Sequence, residues 1–135
     1  MSEQLIRAYF TAFSIRDVDG LLALLDDQVE HRIVPGGREV GKAAFRGFLE
    51  RCHGCRDERV DDLEVMVAPD GRRAAAEYTA HGTYRETEEG LPAATGRAYA
   101  VAGGTFFVIV DNRIVRITRY DNLPDLLWQD EEGKA

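Results

Sequence analysis

The feature that most constrains this chain is a change of hydrophobic period between residues 53 and 60. Before it, apolar side chains recur at helical spacing. Leu5, Ile6, Tyr9, Phe10 and Phe13 form one stripe, which predicts a helix over residues 3–15. Asp17 is placed to cap a second, short helix carrying Val18, Leu21, Leu22, Leu24 and Leu25. Residues 29–34 read as a short strand stopped by Pro35-Gly36-Gly37. A third helix over 42–53 has Phe45, Phe48, Leu49 and Cys52 on its stripe. After the change, the period is two. Residues 60–68 alternate, and Pro69-Asp70-Gly71 is a turn signal. Residues 72–87 form a long strand with Ala76, Tyr78, Ala80, Gly82 and Tyr84 on one face and Glu77, Thr79, His81 and Thr83 on the other. A loop over 88–95 leads to a second long strand, 97–110, in which Gly103-Gly104 predicts a bulge or sharp bend. Asp111-Asn112 turns the chain into a last strand, 113–120. Residues 123–129 suit one or two helical turns, with Pro124 early.

Helices followed by a hairpin-connected sheet define an α+β order rather than a βαβ alternation. Long bent strands curl the sheet, and three N-terminal helices closing one side give a cone whose concave interior is the default ligand site. The 135 residues suffice for one domain spanning 1–135. With 17 basic against 24 acidic residues, the net charge of −7 argues against nucleic acid or an anionic membrane surface as partner. No apolar run reaches membrane-span length, and Met1-Ser2-Glu3-Gln4 lacks a signal peptide's basic start, so a cytoplasmic location is expected. Two cysteines provide no disulfide framework. Cys52-His53-Gly54-Cys55 closes a helix instead of opening one, where the dipole acts against a low thiol pKa, and no second ligand pair accompanies it for zinc. No metal site is therefore expected. Nor is a cofactor, since no phosphate-binding glycine loop, nucleotide fingerprint or nucleophile elbow occurs.

Several stretches carry a family likeness. Tyr9-Phe10-Thr11-Ala12-Phe13, Arg16-Asp17-Val18-Asp19-Gly20-Leu21-Leu22, Val29-Glu30-His31, residues 37–45, Arg73-Ala74-Ala75-Ala76-Glu77-Tyr78, His81-Gly82-Thr83-Tyr84, Glu89-Gly90-Leu91-Pro92 and Tyr120-Asp121-Asn122-Leu123 are spread over nearly the whole length of the chain. On these the sequence resembles the ketosteroid isomerases and their nuclear-transport-factor-2-like superfamily, which includes the SnoaL-like polyketide cyclases and limonene epoxide hydrolase. The likeness is greatest to the ketosteroid isomerase-related proteins. It implies a cone of three N-terminal helices on a strongly curved mixed or antiparallel sheet, a small hydrophobic ligand and a homodimer.

The resemblance also implies roles. His31 falls where the isomerases keep a proton-shuttling aspartate, and an imidazole can take and return a proton near neutrality. Tyr9 matches the isomerase oxyanion donor. The isomerases' second oxyanion acid has no counterpart, since that neighbourhood reads Gly103-Gly104-Thr105. The hydrolase's Arg-x-Asp becomes Thr79-Ala80-His81, without the Arg/Asp pair. Asp121 matches the cyclases' acid/base near the end of the last strand. Phe13, Phe48, Thr79, Tyr120, Asn122 and Trp128 are the candidate ligand-lining residues. Structural readings stand beside these. Tyr9 suits a core tyrosine. The face of His81 suits solvent, a subunit interface or the cavity. Asp121 suits a helix cap better than a charge partner of Arg119. The function expected is cofactor-independent isomerase, cyclase or hydrolase chemistry with His31 as acid/base and Tyr9 as donor. The alternative is a ligand-binding or dimeric interaction module without turnover.

Overall fold

The computed structural model describes residues 1–33, 36–87, 93–94 and 96–121. Among them are three helices and six strands: α1 (Ser2–Ser14), α2 (Val18–Leu22), β1 (Leu25–Arg32), β2 (Arg38–Val40), α3 (Lys42–Cys55), β3 (Arg56–Val67), β4 (Arg73–Tyr84), β5 (Ala98–Val110) and β6 (Arg113–Asp121). The α1 stripe buries Leu5, Ile6, Tyr9, Phe10, Ala12 and Phe13. The helix ends at a left-handed corner, with Arg16 at φ 61°. Asp17 then caps α2, its carboxylate accepting from the Gly20 N–H at 3.0 Å. Leu25, expected in that helix, instead opens β1. α3 buries Phe45, Leu49 and Cys52, three positions on one helical face.

The strands form one sheet in the order β2-β1-β6-β5-β4-β3. Only the β1–β6 pairing is parallel, with His31 opposite Ile117; the rest are antiparallel. Asp111 and Asn112 both have positive φ, as a two-residue type I′ hairpin turn between β5 and β6 requires. β3, β4 and β5 run 12, 12 and 13 residues, long enough for strand twist to curl the sheet around the helices. This is the α+β cone expected from the order of periods.

Two further expectations are corrected. The first strand of the long hairpin begins at Arg56 rather than residue 60, hidden by the charged run Arg56-Asp57-Glu58-Arg59. The glycine pair makes neither bulge nor register shift: Gly103 pairs with Tyr78 and Gly104 with Glu77 in an unbroken ladder. Register slips instead between Asp61 and Glu64, where Asp62 takes φ 53°, and between Val108 and Ile109.

The core lies between the helices and the inner sheet face. Ala74, Ala76, Tyr78 and Ala80 of β4, Tyr99, Val101, Thr105 and Phe107 of β5, and Ile114 and Ile117 of β6 are all buried there. Phe10 packs on Tyr78 at 5.2 Å between ring centroids, and Tyr9 meets Phe107 edge-on at 5.2 Å.

Candidate active site

Near the end of β6, the inner face becomes polar. Ile117 is in phase with Arg119 and Asp121, so the alternation that buries an isoleucine also carries a guanidinium and a carboxylate inward. The Arg119 side chain is 17% exposed. Its Nη2 donates to Glu58 Oε1 at 2.6 Å and its Nε to Asp121 Oδ1 at 2.8 Å. The guanidinium lies over two rings, 5.4 Å from the centroid of Phe13 and 5.6 Å from that of Tyr78. Burial works against the Arg119 charge, but Glu58 and Asp121 more than offset it, so its pKa stands well above the ordinary arginine value.

Glu58 is the deepest carboxylate of the cluster, 7% exposed. Burial pushes its pKa up, yet Arg119, Arg56 and the hydrogen bond from Tyr99 outweigh it, and the group sits below its ordinary value. Tyr99 donates to Glu58 Oε2 at 2.5 Å, and Arg56 Nη1 lies 3.4 Å from the same oxygen. Three donor groups therefore engage Glu58. Asp121 commits Oδ1 to Arg119 alone among these contacts. The Tyr78 hydroxyl shares a hydrogen bond of 2.8 Å with Thr105 Oγ1. Burial raises the pKa values of Tyr9, Tyr78 and Tyr99, so all three phenols keep their protons at neutral pH and can donate.

Glycines make room for these hydroxyls. A Cβ on Gly82 would lie 2.5 Å from the Tyr99 oxygen. One on Gly103 would lie 2.6 Å from the Tyr78 ring and 2.9 Å from Asp121 Oδ1.

His31 occupies another part of the interior. Its ring stands 4.4 Å from Phe48 and 5.1 Å from Phe45, and its Nδ1 is 3.7 Å from Glu39 Oε1. Burial lowers its pKa against the pull of Glu39, leaving a neutral imidazole at pH 7. Its ring contacts and those of Tyr9, which are Phe10 and Phe107, have no residue in common.

A model of the SnoaL-like domain matches residues 6–117. The chain belongs to the SnoaL-like family. This SnoaL-like chain is 44% identical to a proposed polyketide cyclase of Pseudomonas putida, over 96% of this chain and 97% of that one, with a TM-score of 0.92. A proposed polyketide cyclase of Xanthomonas campestris is 41% identical over 95% of both chains, with a TM-score of 0.89. An epoxide hydrolase of Mycobacterium tuberculosis, of the limonene epoxide hydrolase type, shares the fold at 18% identity, with 94% of this chain and 82% of that one covered and a TM-score of 0.73. No curated protein matches this chain. The fold is shared by an NTF2-like protein of Burkholderia xenovorans, 19% identical over 95% of this chain and 93% of that one, with a TM-score of 0.74.

Within this SnoaL-like fold, Phe13 and Asp121 gather around Arg119, which lies over Phe13 and donates to Asp121, while Tyr9 is buried against Phe10 and Phe107. His31 and Phe48 pack together elsewhere in the interior. Thr79, His81 and Tyr120 lie on the outer sheet face, because they alternate with the buried Tyr78, Ala80 and Arg119. His81 faces Asp61 there at 3.6 Å. Asn122, Trp128 and the helical turns expected over 123–129 lie outside the described residues. Asp121 is the charge partner of Arg119, the reading its sequence context ranked second.

Sequence reasoning missed Glu58, Tyr78, Tyr99 and the inward aim of Arg119. One signal was present: Arg119 and Asp121 share the phase of Ile117. Among the described residues no group of His, Cys, Asp or Glu has the arrangement of a metal site. Nor is any helix among them long and apolar enough to cross a membrane.

Proposed function

We propose that the interior around Arg119 binds a small, largely apolar carbonyl compound and transfers a proton on it, as an intramolecular aldol cyclisation requires. The carrying observation is the carboxylate–guanidinium–carboxylate arrangement of Glu58, Arg119 and Asp121 set against Phe13 and Tyr78. Arg119 and the protonated phenols Tyr9 and Tyr78 supply donors for an oxygen that gains negative charge. Asp121, less engaged than Glu58, takes the α-proton and returns it. His31, neutral through burial, acts as a second acid/base group with Tyr9 as donor for a ligand reaching deeper along the interior. The names of the relatives at 44% and 41% identity support the cyclase class.

The test is proton exchange in D2O on 1-tetralone, an apolar ketone with α-protons. The expected result is loss of the α-proton NMR signal above the buffer rate, falling on the order of 100-fold in Asp121→Asn. Binding of the ketone without any exchange would overturn the catalytic reading in favour of a ligand-binding module.

A homodimer through the outer sheet face is part of the same proposal. Phe106 and Tyr120 pack edge to face there at 5.6 Å while remaining 53% and 50% exposed, and Met66 beside them is 53% exposed.

A further inference from the structure

Cys52-His53-Gly54-Cys55 forms the last turn of α3. Its histidine ends α3 beside the polar cluster. The His53 ring lies 5.5 Å from the Phe13 ring, the same ring over which Arg119 sits at 5.4 Å, so imidazole and guanidinium share one aromatic neighbour. His53 Nε2 is buried and has no hydrogen-bond partner among the described residues. Buried imidazole nitrogens are normally satisfied, and an orphan calls for an explanation. The other orphan of this kind, His31 Nδ1, faces the Glu39 oxygen at 3.7 Å, itself unpartnered, so a small approach satisfies both. For His53 no carboxylate stands within 4.0 Å among the described residues.

We infer that His53 Nε2 is the subsite for a second polar group of the ligand, a hydroxyl or enol hydrogen carried on the same apolar skeleton as the carbonyl that Arg119 receives. This deepens the proposed function and rests on it. The charged groups around His53 are compatible with a neutral acceptor. Burial is the largest influence lowering its pKa, Arg16 from the corner between α1 and α2 adds to it, and Glu58 from β3 opposes. Arg85, just past β4, donates to the His53 carbonyl at 2.8 Å and fixes the backbone that carries the ring. Arg16 and Arg85 both pair with Asp57, the second residue of β3, and leave the imidazole to the ligand. Specificity would then be for hydroxylated carbonyl compounds over plain ketones, since a site that hydrogen-bonds a hydroxyl disfavours the analogue lacking it.

The test is a double-mutant cycle between ligand and protein. The affinities of 1-tetralone and its 5-, 6- and 7-hydroxy derivatives are measured by calorimetry on wild type and His53→Phe, which keeps an aromatic ring against Phe13. At least one hydroxytetralone is expected to bind wild type about tenfold more tightly than 1-tetralone. That advantage should disappear in His53→Phe while 1-tetralone affinity is kept. In 15N-histidine NMR the same derivative should move the His53 Nε2 resonance and leave that of His81 in place. If 1-tetralone binds and exchanges but no hydroxy derivative gains, or the gain survives His53→Phe, the inference is wrong and the proposed function stands. If 1-tetralone does not bind at all, the proposed function fails first.

Discussion

Arg119 shows how one side chain can hold a polar cluster together inside an apolar shell. Removing it leaves Asp121 without the partner of its Oδ1 and strips Glu58 of its shortest ion pair, 2.6 Å. Arg119→Met is therefore expected to destabilise the fold by about 3–5 kcal/mol in urea unfolding. The double variant with Glu58→Gln should lose less than the sum of the two single changes, because both act on one interaction. Additive losses would show that the pair is not coupled. The histidines predict a pH dependence. Burial depresses the pKa values of His31 and His53, so the unfolded chain binds their protons more readily. Stability is then full above the ordinary histidine value of roughly 6.5 and falls as pH drops below it. Glu58, also depressed, adds a further loss at more acidic pH. Thermal melts of His31→Gln should show a shallower decline below pH 6.5 than wild type. An unchanged slope would mean that His31 does not titrate with unfolding.

At the level of elements, the outcome turns on which residues sit in phase. The alternation on β4 put Tyr78 and His81 on opposite faces from sequence alone, because neither position interrupts a clean period of two, while which of the two faces is inward was left open. β3 was harder. Its first four residues are all charged, and nothing in the chain announces that Glu58 is buried until Arg119 and Tyr99 are brought from β6 and β5 to join Arg56 of the same strand. Pairing between distant strands is a property of the assembled sheet, so the Glu58–Arg119 pair was not legible, whereas the Asp121–Arg119 pair, two residues apart on β6, was legible and ranked below a helix cap. Gly103-Gly104 was read as a backbone bend because paired glycines usually loosen a strand. Its cause is steric, and it concerns only one of the two. Gly103→Ala would press on the Tyr78 ring and Asp121 and is expected to cost about 1–3 kcal/mol. A Cβ on Gly104 meets nothing closer than the Ala76 carbonyl at 3.6 Å, so Gly104→Ala should be nearly neutral. Equal losses in chemical unfolding would refute this division.

For the whole molecule, the two faces of the sheet have separate work. The inner face holds the polar cluster. The outer face carries Phe106, Tyr120 and Met66 with His81 and Thr79 in the same plane of side chains. Phe106→Asp is expected to shift the protein from dimer to monomer in light scattering coupled to size exclusion, with the α-proton exchange rate per chain retained. His81→Ala, on that same outer face, should leave exchange unchanged. A monomeric wild type would remove the dimer proposal.

The position of β6 has a consequence in time. This strand lies between β1 and β5 in the sheet, although it is the last of the six to be synthesised. Until it arrives, β1 has no neighbour on one side and β5 none on the other, and the chain carries two open strand edges besides those of β2 and β3. Folding must then wait for the contact between β1 and β6, far apart in the sequence, which slows it relative to a fold of local contacts. Arg119 and Asp121 enter with the same strand, so the polar cluster forms in the step that closes the sheet. A nascent chain stalled at Val110 would hold Glu58 with Arg56 but without Arg119, and would leave the edges of β1 and β5 unpaired until its final strand emerged.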